Sequence, residues 1–413
     1  MTETRAAIDA VWRIESPKLI AGIAHIVRDV GLAEDFAHDA LVAALEQWPR
    51  NGIPANPGAW LMTTAKRRAI DYFRRNETQQ RKYAEIATQL EEHDEMRDPE
   101  EVEDDLLRLL FIACHPVLSP PARVALTLRL IGGLTTDEVA RAFLVPESTV
   151  AQRIVRAKRT LTEARVPFEL PGVAERADRL ASVLEVIYLI FNEGYAATQG
   201  EHWVRPDLCE DALRVGRVLA ELVSKEPEVH GLVALMELQA SRLRARVGPT
   251  GEPVLLLDQD RARWDRLLIQ RGLRSLARAE ELGPLGPYGL QAAIAACHAR
   301  AYTPEETDWM RIVALYDALA QIMPTPVVEL NRAVAVAMAY GPAAGLDIVE
   351  QLAEEPALQH YHLLPSVRGD LLEKLGRRQE AREQFALAAA MTRNERERVL
   401  LQARAQALNA SSS

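Results

Sequence analysis

Residues 134–161 have the pattern of a helix-turn-helix. Thr135 and Glu138 have the spacing of a capping box, which predicts that a helix begins at this point. Pro146 then interrupts the pattern, because proline removes a backbone donor and fixes φ. A helix pair of this kind can place its second helix in the major groove of DNA. Two ordinary surface helices with solvated charges are the alternative interpretation.

The second helix of this pattern has one apolar face and one polar, cationic face. Glu147 or Ser148 is its expected cap. Apolar residues recur at helical spacing and are expected to pack inward: Val150, Ile154, Ala157 and Leu161. The candidates for contacts to bases or phosphates are Ser148, Thr149, Gln152, Arg153, Arg156, Lys158 and Arg159. Of these, Lys158 and Arg159 are expected to contact phosphates, which position a protein without specifying sequence.

Composition favours an all-α protein, because aromatic residues are 5% of the chain and β-branched runs are scarce. No apolar run reaches the length of a membrane span, and the first residues lack the layout of a signal peptide. We therefore expect a cytoplasmic protein with no membrane partner. Cys114, Cys209 and Cys297 are far apart, which favours buried thiols over a metal site.

Neither a metal nor a cofactor is expected. The chain is not expected to be an enzyme, since no nucleophile–base pair, phosphate-binding loop or metal-ligand spacing stands out in its sequence.

Charge is unevenly distributed along the chain. The formal net charge is −10, yet basic residues cluster at 66–82 and again at 153–165. Between the clusters, residues 85–105 are acidic almost without cations, which predicts an extended linker because like charges repel. Two basic lobes joined by an acidic tether suit a protein that holds DNA at two places.

Two amphipathic helices are predicted before the acidic segment. In residues 34–48, one predicted face consists of Phe36, Ala40, Ala43 and Gln47, and the other includes Asp35, Asp39, Val42 and Glu46. A turn-rich loop follows at residues 49–58. In residues 59–75, the predicted core stripe is Leu61, Ala65, Ala69 and Tyr72. The predicted outer side of that helix carries Lys66, Arg67 and Arg74.

The two helices and their loop resemble region 2 of a bacterial sigma factor of the extracytoplasmic-function group. The strings that carry the resemblance are AEDFAHDALVAALEQW and NPGAWLMTTAKRRAIDYFRR. The helix-turn-helix, with the leading segment LSPPARVALTLRLIGG, resembles region 4 of the same family. Both resemblances occur in the family's order over roughly residues 10–165.

The resemblance implies a role for each of these surfaces. Asp35, Asp39 and Val42 would bind the RNA polymerase core enzyme. The residues implied in contacts to the −10 element are Asn51, Asn56, Trp60, Lys66, Arg67 and Arg74. Core packing is the alternative role for Trp60. The second helix of the helix-turn-helix would read the −35 element of promoter DNA.

The remaining sequence predicts a helical extension. Residues 369–388 resemble a tetratricopeptide repeat, and residues 331–352 align with them at about the period of that repeat. Stacked helix pairs of this kind form surfaces for a protein or peptide partner. Asn192, Glu193 and Asn331 are polar residues in apolar surroundings, which either line a groove or act as caps and hydrogen-bond partners.

The predicted organisation is a region 2 domain at 1–82, an acidic linker at 83–103, a region 4 domain at 104–166 and a tetratricopeptide-like domain at 170–413. The function expected from it is an alternative sigma factor that directs promoter-specific transcription initiation, with the extension modulating its activity or its binding to the core enzyme. The alternative is a helix-turn-helix regulator that acts without polymerase and uses its repeats to sense a partner. A region 2 face for the polymerase distinguishes the two hypotheses, because a regulator of the second kind does not need one.

Overall fold

A computed structural model of the chain describes residues 2–75, 99–198 and 200–410. The predicted all-α fold is confirmed, and no β-strand occurs in these ranges. The chain divides into two compact units, residues 1–189 and residues 190–413. Each helix in the described ranges is too short or too polar to span a bilayer.

The first unit contains the helices that correspond to the predicted DNA-binding part. Their bounds are α1 Thr2–Val27, α2 Val30–Asn51, α3 Pro57–Arg75, α4 Pro99–Ala113, α5 Pro120–Leu130, α6 Thr136–Phe143 and α7 Glu147–Glu163. Helices α1, α2 and α3 pack against one another, and α4 packs against α1. Helix α8, Val173–Tyr195, contains the boundary between the two units.

The predicted acidic linker is helical at its end. Residues 83–98 lie outside the described residues, but α4 begins at Pro99, so 99–103 are helical rather than extended. Proline is favoured at the first helical position, and Glu101 lies in the first turn, beside the positive end of the helix dipole. Leu109 and Leu110 anchor the same helix in the core. These local effects outweigh the repulsion on which the linker prediction rested.

The second unit is a succession of helices that pack against their neighbours in the chain. Their bounds are α9 Pro206–Leu222, α10 Pro227–Ala240, α11 Arg266–Leu282, α12 Pro287–Arg300, α13 Trp309–Ile322, α14 Pro326–Tyr340, α15 Pro342–Gln351, α16 Leu363–Lys374, α17 Arg378–Met391 and α18 Glu395–Ala410. Contacts between consecutive helices run from α9 to α18. Most of the connections between them are short, as is typical of helix pairs, but residues 241–265 separate α10 from α11.

Residues 369–388 form one such pair, as their pattern predicted. Gly369 lies on α16 where a Cβ would meet the ring of Phe385 on α17 at 2.9 Å, so a glycine allows the two helices to approach. Phe385 is fully buried, together with Ala381. Gly376 has φ +77° in the turn, a conformation that favours glycine.

The three cysteines are buried and free, as predicted. Burial raises the pKa of the Cys114 and Cys209 thiols to about 12. Burial also raises the pKa of the Cys297 thiol. These groups are therefore protonated and act as small apolar core residues.

Candidate nucleic-acid interface

The predicted polymerase-binding residues lie on the exposed face of α2. Asp35 and Asp39 are exposed one helical turn apart, and Val42 is 52% exposed. Phe36 on the opposite face is buried. The side chains of this face therefore present two carboxylates beside one apolar group.

The inward face of α2 differs from its prediction at one position. Phe36, Ala40 and Ala43 are buried as expected, whereas Gln47 is exposed and Trp48 is buried in its place. The indole gains more from leaving water than the amide does, which explains the shift by one residue.

The loop between α2 and α3 uses one of the predicted −10 residues as a helix cap. Asn51 ends α2 and is exposed. The Asn56 side-chain oxygen accepts a hydrogen bond from the backbone N–H of Ala59 at 3.1 Å, at the start of α3. Gly52, with φ +82°, lets the chain leave α2. The cap holds the loop in a defined conformation, with Asn56 still at the surface.

Trp60 lies at the start of α3 and is half-buried. Its ring packs against the buried ring of Trp48, with centroids 5.3 Å apart and an interplanar angle of 66°. Such an edge-to-face pair stabilises the junction of α2 and α3. Core packing, the alternative role for Trp60, is therefore part of what this residue does.

Helix α3 presents a different set of cations from the predicted one. Arg67 and Arg74 are exposed, as expected, and Arg68 is exposed beside them. Lys66 was predicted on the outer side, and that prediction is wrong, since the residue is only 6% exposed. Lys66 precedes the buried Ala69 by three positions and therefore lies on its side of the helix. A lysine can bury its long aliphatic stem in such a position.

The core stripe of α3 also differs from its prediction at its end. Leu61, Ala65 and Ala69 are buried as predicted, but Tyr72 is 40% exposed. Phe73 is buried instead and continues the spacing of four residues. Tyr72 packs edge-on against Phe36, with centroids 5.5 Å apart.

The helix-turn-helix is formed by α6 and α7, and its capping box is confirmed. Thr135 Oγ1 accepts from the backbone N–H of Glu138 at 3.1 Å, and Glu138 Oε2 accepts from the backbone N–H of Thr135 at 2.7 Å. The predicted cap of α7 is wrong, because Pro146 precedes the helix and no side chain caps it. Leu144, with φ 50°, ends α6 in the left-handed region.

The side chains of α7 separate into the two predicted faces. Those predicted to pack inward are all buried: Val150, Ile154, Ala157 and Leu161. The exposed candidates for DNA contact are Ser148, Thr149, Gln152, Arg156 and Arg159. Arg153 is half-buried beside a cleft of about 360 Å³ that Gln152 and Arg156 also line. Arg159 pairs with Glu163 at 2.6 Å.

Removal of the Thr135 hydroxyl tests how far the capping box stabilises this motif. Thr135→Ala is expected to lower the free energy of unfolding by about 1 kcal/mol, because the N–H of Glu138 loses its acceptor. Chemical denaturation of the full chain measures the change. Thr136→Ala, one position away, is the matched control and is expected to have a smaller effect. Equal effects of the two substitutions would contradict the role of the cap.

Lys158 was predicted to contact a DNA phosphate, but in this structure it is engaged by another helix. Its ammonium forms an ion pair with Glu34 of α2, whose side chain is only 4% exposed. Glu34 also accepts a hydrogen bond from Arg129 Nε of α5 at 2.7 Å. Arg129 in turn contacts the ring of His38. We call these four residues the Glu34 network.

Charge fixes the protonation of the Glu34 network. Burial raises the pKa of Glu34, but the cations Lys158 and Arg129 outweigh it and hold that pKa below its ordinary value. Burial and the charge of Arg129 lower the pKa of His38. A carboxylate between two cations therefore holds α7 and α5 to α2.

Two further contacts join the same parts of the first unit. Arg13 of α1 forms an ion pair with Glu138, the capping residue of α6, at 2.7 Å. Arg28 donates to the backbone oxygen of Phe168 at 3.1 Å. Sequence reasoning missed all of these contacts. Glu34 and Arg129 are separated by 95 positions, and no local pattern signals such a pair.

Comparisons with known proteins match the two DNA-binding parts of the chain. A Sigma-70 region 2 model matches residues 13–79, and a Sigma-70 region 4 model matches residues 108–161. Residues 179–280 match a family of unknown function, DUF6596. The uncharacterized protein R00370 of Rhizobium meliloti is 44% identical over 402 residues, which cover 95% of this chain and 94% of that protein.

This chain belongs to the same family as R00370. A probable ECF RNA polymerase sigma factor of Mycobacterium tuberculosis, SigI, is 28% identical over 166 residues, 38% of this chain and 56% of SigI. The two Sigma-70 regions indicate a sigma-factor-like role in transcription initiation and in DNA binding. The tetratricopeptide assignment of the extension is not confirmed, since the model that matches part of it is DUF6596.

Proposed function

We propose that this chain is an alternative sigma factor that binds the RNA polymerase core enzyme and directs initiation at promoters with −10 and −35 elements. One observation carries the proposal. Within matches to Sigma-70 regions 2 and 4, the chain exposes an acidic face on α2 and a polar, cationic face on α7. The region 2 face favours this function over a regulator that acts without polymerase.

The residues that carry this function fall into three groups. Asp35, Asp39 and Val42 bind the core enzyme. Arg67 and Arg74 hold the backbone of the −10 strand, beside Asn51, Asn56 and Trp60. The −35 element is contacted by Ser148, Thr149, Gln152, Arg153, Arg156 and Arg159. Lys66 is not included among the residues that contact the −10 strand, because it is buried.

The Glu34 network gives this sigma factor a closed form. Lys158 can reach a DNA phosphate fully only after it leaves Glu34, because the ion pair holds its side chain at 20% exposure against a buried carboxylate. We propose that promoter binding requires α7 to separate from α2. The extension modulates activity or core binding as a tetratricopeptide-like module for a protein or peptide partner, a role that its consecutive helix pairs support.

Loss of one acidic side chain tests the α2 face. Asp39→Ala is expected to weaken binding of the core enzyme about tenfold while leaving the affinity for promoter DNA unchanged, because this exposed carboxylate is assigned to the polymerase surface and not to a DNA contact. Fluorescence anisotropy with labelled chain and purified core enzyme measures the loss. Asp178→Ala, an exposed acid on α8, is the control. DNA binding without any core binding in the unsubstituted chain would support the regulator instead.

A further inference from the structure

A cleft in the second unit is lined by four arginines. It has a volume of about 420 Å³ and lies between α9, α10 and α11. The arginines are Arg217, Arg271, Arg274 and Arg278, and two acidic residues, Glu221 and Glu237, line the same cleft. Cations are thus in excess in this cleft although the whole chain has a net charge of −10.

Three of these arginines form a stripe on one side of α11. Arg271, Arg274 and Arg278 recur at intervals of three and four residues, while Ile269 and Leu276 on the other side are buried. Like charges at this spacing repel and destabilise a helix. An anion bound beside the stripe would offset this repulsion.

Glu237 organises the floor of the cleft. Its side chain is 2% exposed and accepts hydrogen bonds from Nε and Nη2 of Arg217 at 3.0 and 2.8 Å. Arg271 Nε lies 3.3 Å from the same oxygen. One carboxylate therefore fixes two guanidinium groups while neutralising only one of them.

The other two arginines of the stripe, Arg274 and Arg278, are exposed in the lining of the cleft. Arg278 pairs with Glu281 at the rim, at 3.2 Å. Arg274 is exposed, and no acidic side chain in the described part of the chain forms an ion pair with it. Ser275, one position along α11, also lines the cleft, and its hydroxyl donates to Glu237 Oε2 at 3.5 Å. The opening thus offers hydrogen-bond donors with uncompensated positive charge.

We propose that this cleft binds a small molecule through a phosphate or diphosphate group. Guanidinium groups match the oxygens of a phosphate in bidentate geometry, and several of them converge here. The volume is within the range of small-molecule sites. All the lining residues fall within the segment that matches DUF6596, so the site supplies a ligand class for that segment.

A nucleic-acid backbone fits the cleft less well. A duplex needs an extended cationic track, whereas here Glu221 and Glu281 flank the arginines and a buried carboxylate forms the floor. The concave shape admits a terminal phosphate group rather than a rigid double helix.

Titration of the full chain with inorganic pyrophosphate tests the proposal. Isothermal titration calorimetry at low ionic strength should show saturable binding at one site. Arg274→Ala should weaken it about tenfold or more, because a charged hydrogen-bonding partner of the anion is lost. The matched control is Arg300→Ala, an exposed arginine at the end of α12, which should change affinity less than about twofold.

Three results would overturn this site. The first is the absence of saturable binding, and the second is an equal affinity for pyrophosphate in the unsubstituted chain and in Arg274→Ala. The third is displacement of pyrophosphate by a random-sequence DNA duplex at lower concentration than by a nucleotide. The last result would assign the arginines to nucleic acid. Arg274 is exposed, so the substitution is not expected to unfold the chain, and circular dichroism checks this. No polymerase is used, and the result is therefore separate from the sigma-factor proposal.

Discussion

Glu34→Gln is expected to lower the free energy of unfolding of the first unit by about 2–3 kcal/mol. The substitution leaves Arg129 and Lys158 facing each other without the buried carboxylate that separates them. The estimate is below that for a fully buried pair because both cations are partly solvated. Chemical denaturation measures the loss, and Glu46→Gln, an exposed glutamate on the same helix, is expected to change stability by less than about 0.5 kcal/mol.

The same substitution has an opposite effect on DNA binding. Glu34→Gln is expected to raise the affinity for a duplex with a −35 element by about tenfold, because binding no longer has to break the ion pair of Lys158. Unchanged affinity in a variant that remains folded would show that the closed form does not restrain DNA binding.

Arg156→Ala is expected to reduce use of the cognate promoter by about 10- to 100-fold, equivalent to about 1–3 kcal/mol. Arg156 lies on the exposed face of α7, where a guanidinium can contact a base edge or a phosphate. Binding of the core enzyme should remain within about twofold, because that surface is assigned to α2. Run-off transcription measures promoter use, and fluorescence anisotropy measures core binding.

The pattern of the Arg156 result distinguishes two kinds of contact. A base contact predicts relaxed preference at one position of the −35 element, and a phosphate contact predicts uniform weakening with a salt slope smaller by about one. Arg176→Ala, an exposed arginine on α8, is the matched control. If the two alanine variants lose the same activity, the assignment of α7 as the recognition helix is wrong.

Local periodicity was sufficient to predict α2, α3, α6 and α7 and most of their buried faces. The four inward residues of α7 and the capping box at Thr135 depend on spacing within one or two turns, so the sequence contains all the information needed. The exposed acids of α2 and the helix pair at 369–388 follow for the same reason. The resemblance to a sigma factor then assigned roles that periodicity alone does not supply.

The errors arise where neighbours distant in sequence decide the outcome. Lys66 and Tyr72 lie at the edge of the α3 stripe, where packing against another helix determines which side chain is buried. The pattern of α7 predicts Lys158 as a surface cation, because it contains no information about Glu34, the distant residue of α2 with which Lys158 forms an ion pair. The Arg217–Glu237 pair, at 2.8 Å, likewise joins two helices, so no pattern within either helix reveals the anion cleft.

Transcription with purified core enzyme tests the sigma-factor proposal most directly. The full chain and its Glu34→Gln variant are added to core enzyme on a library of templates with randomised −35 and −10 positions, and the run-off products are sequenced. We expect both proteins to bind the core enzyme and to select templates with two separated conserved elements, with more product from the variant. If neither protein binds the core enzyme at moderate salt or produces a selected transcript, the chain is not a sigma factor.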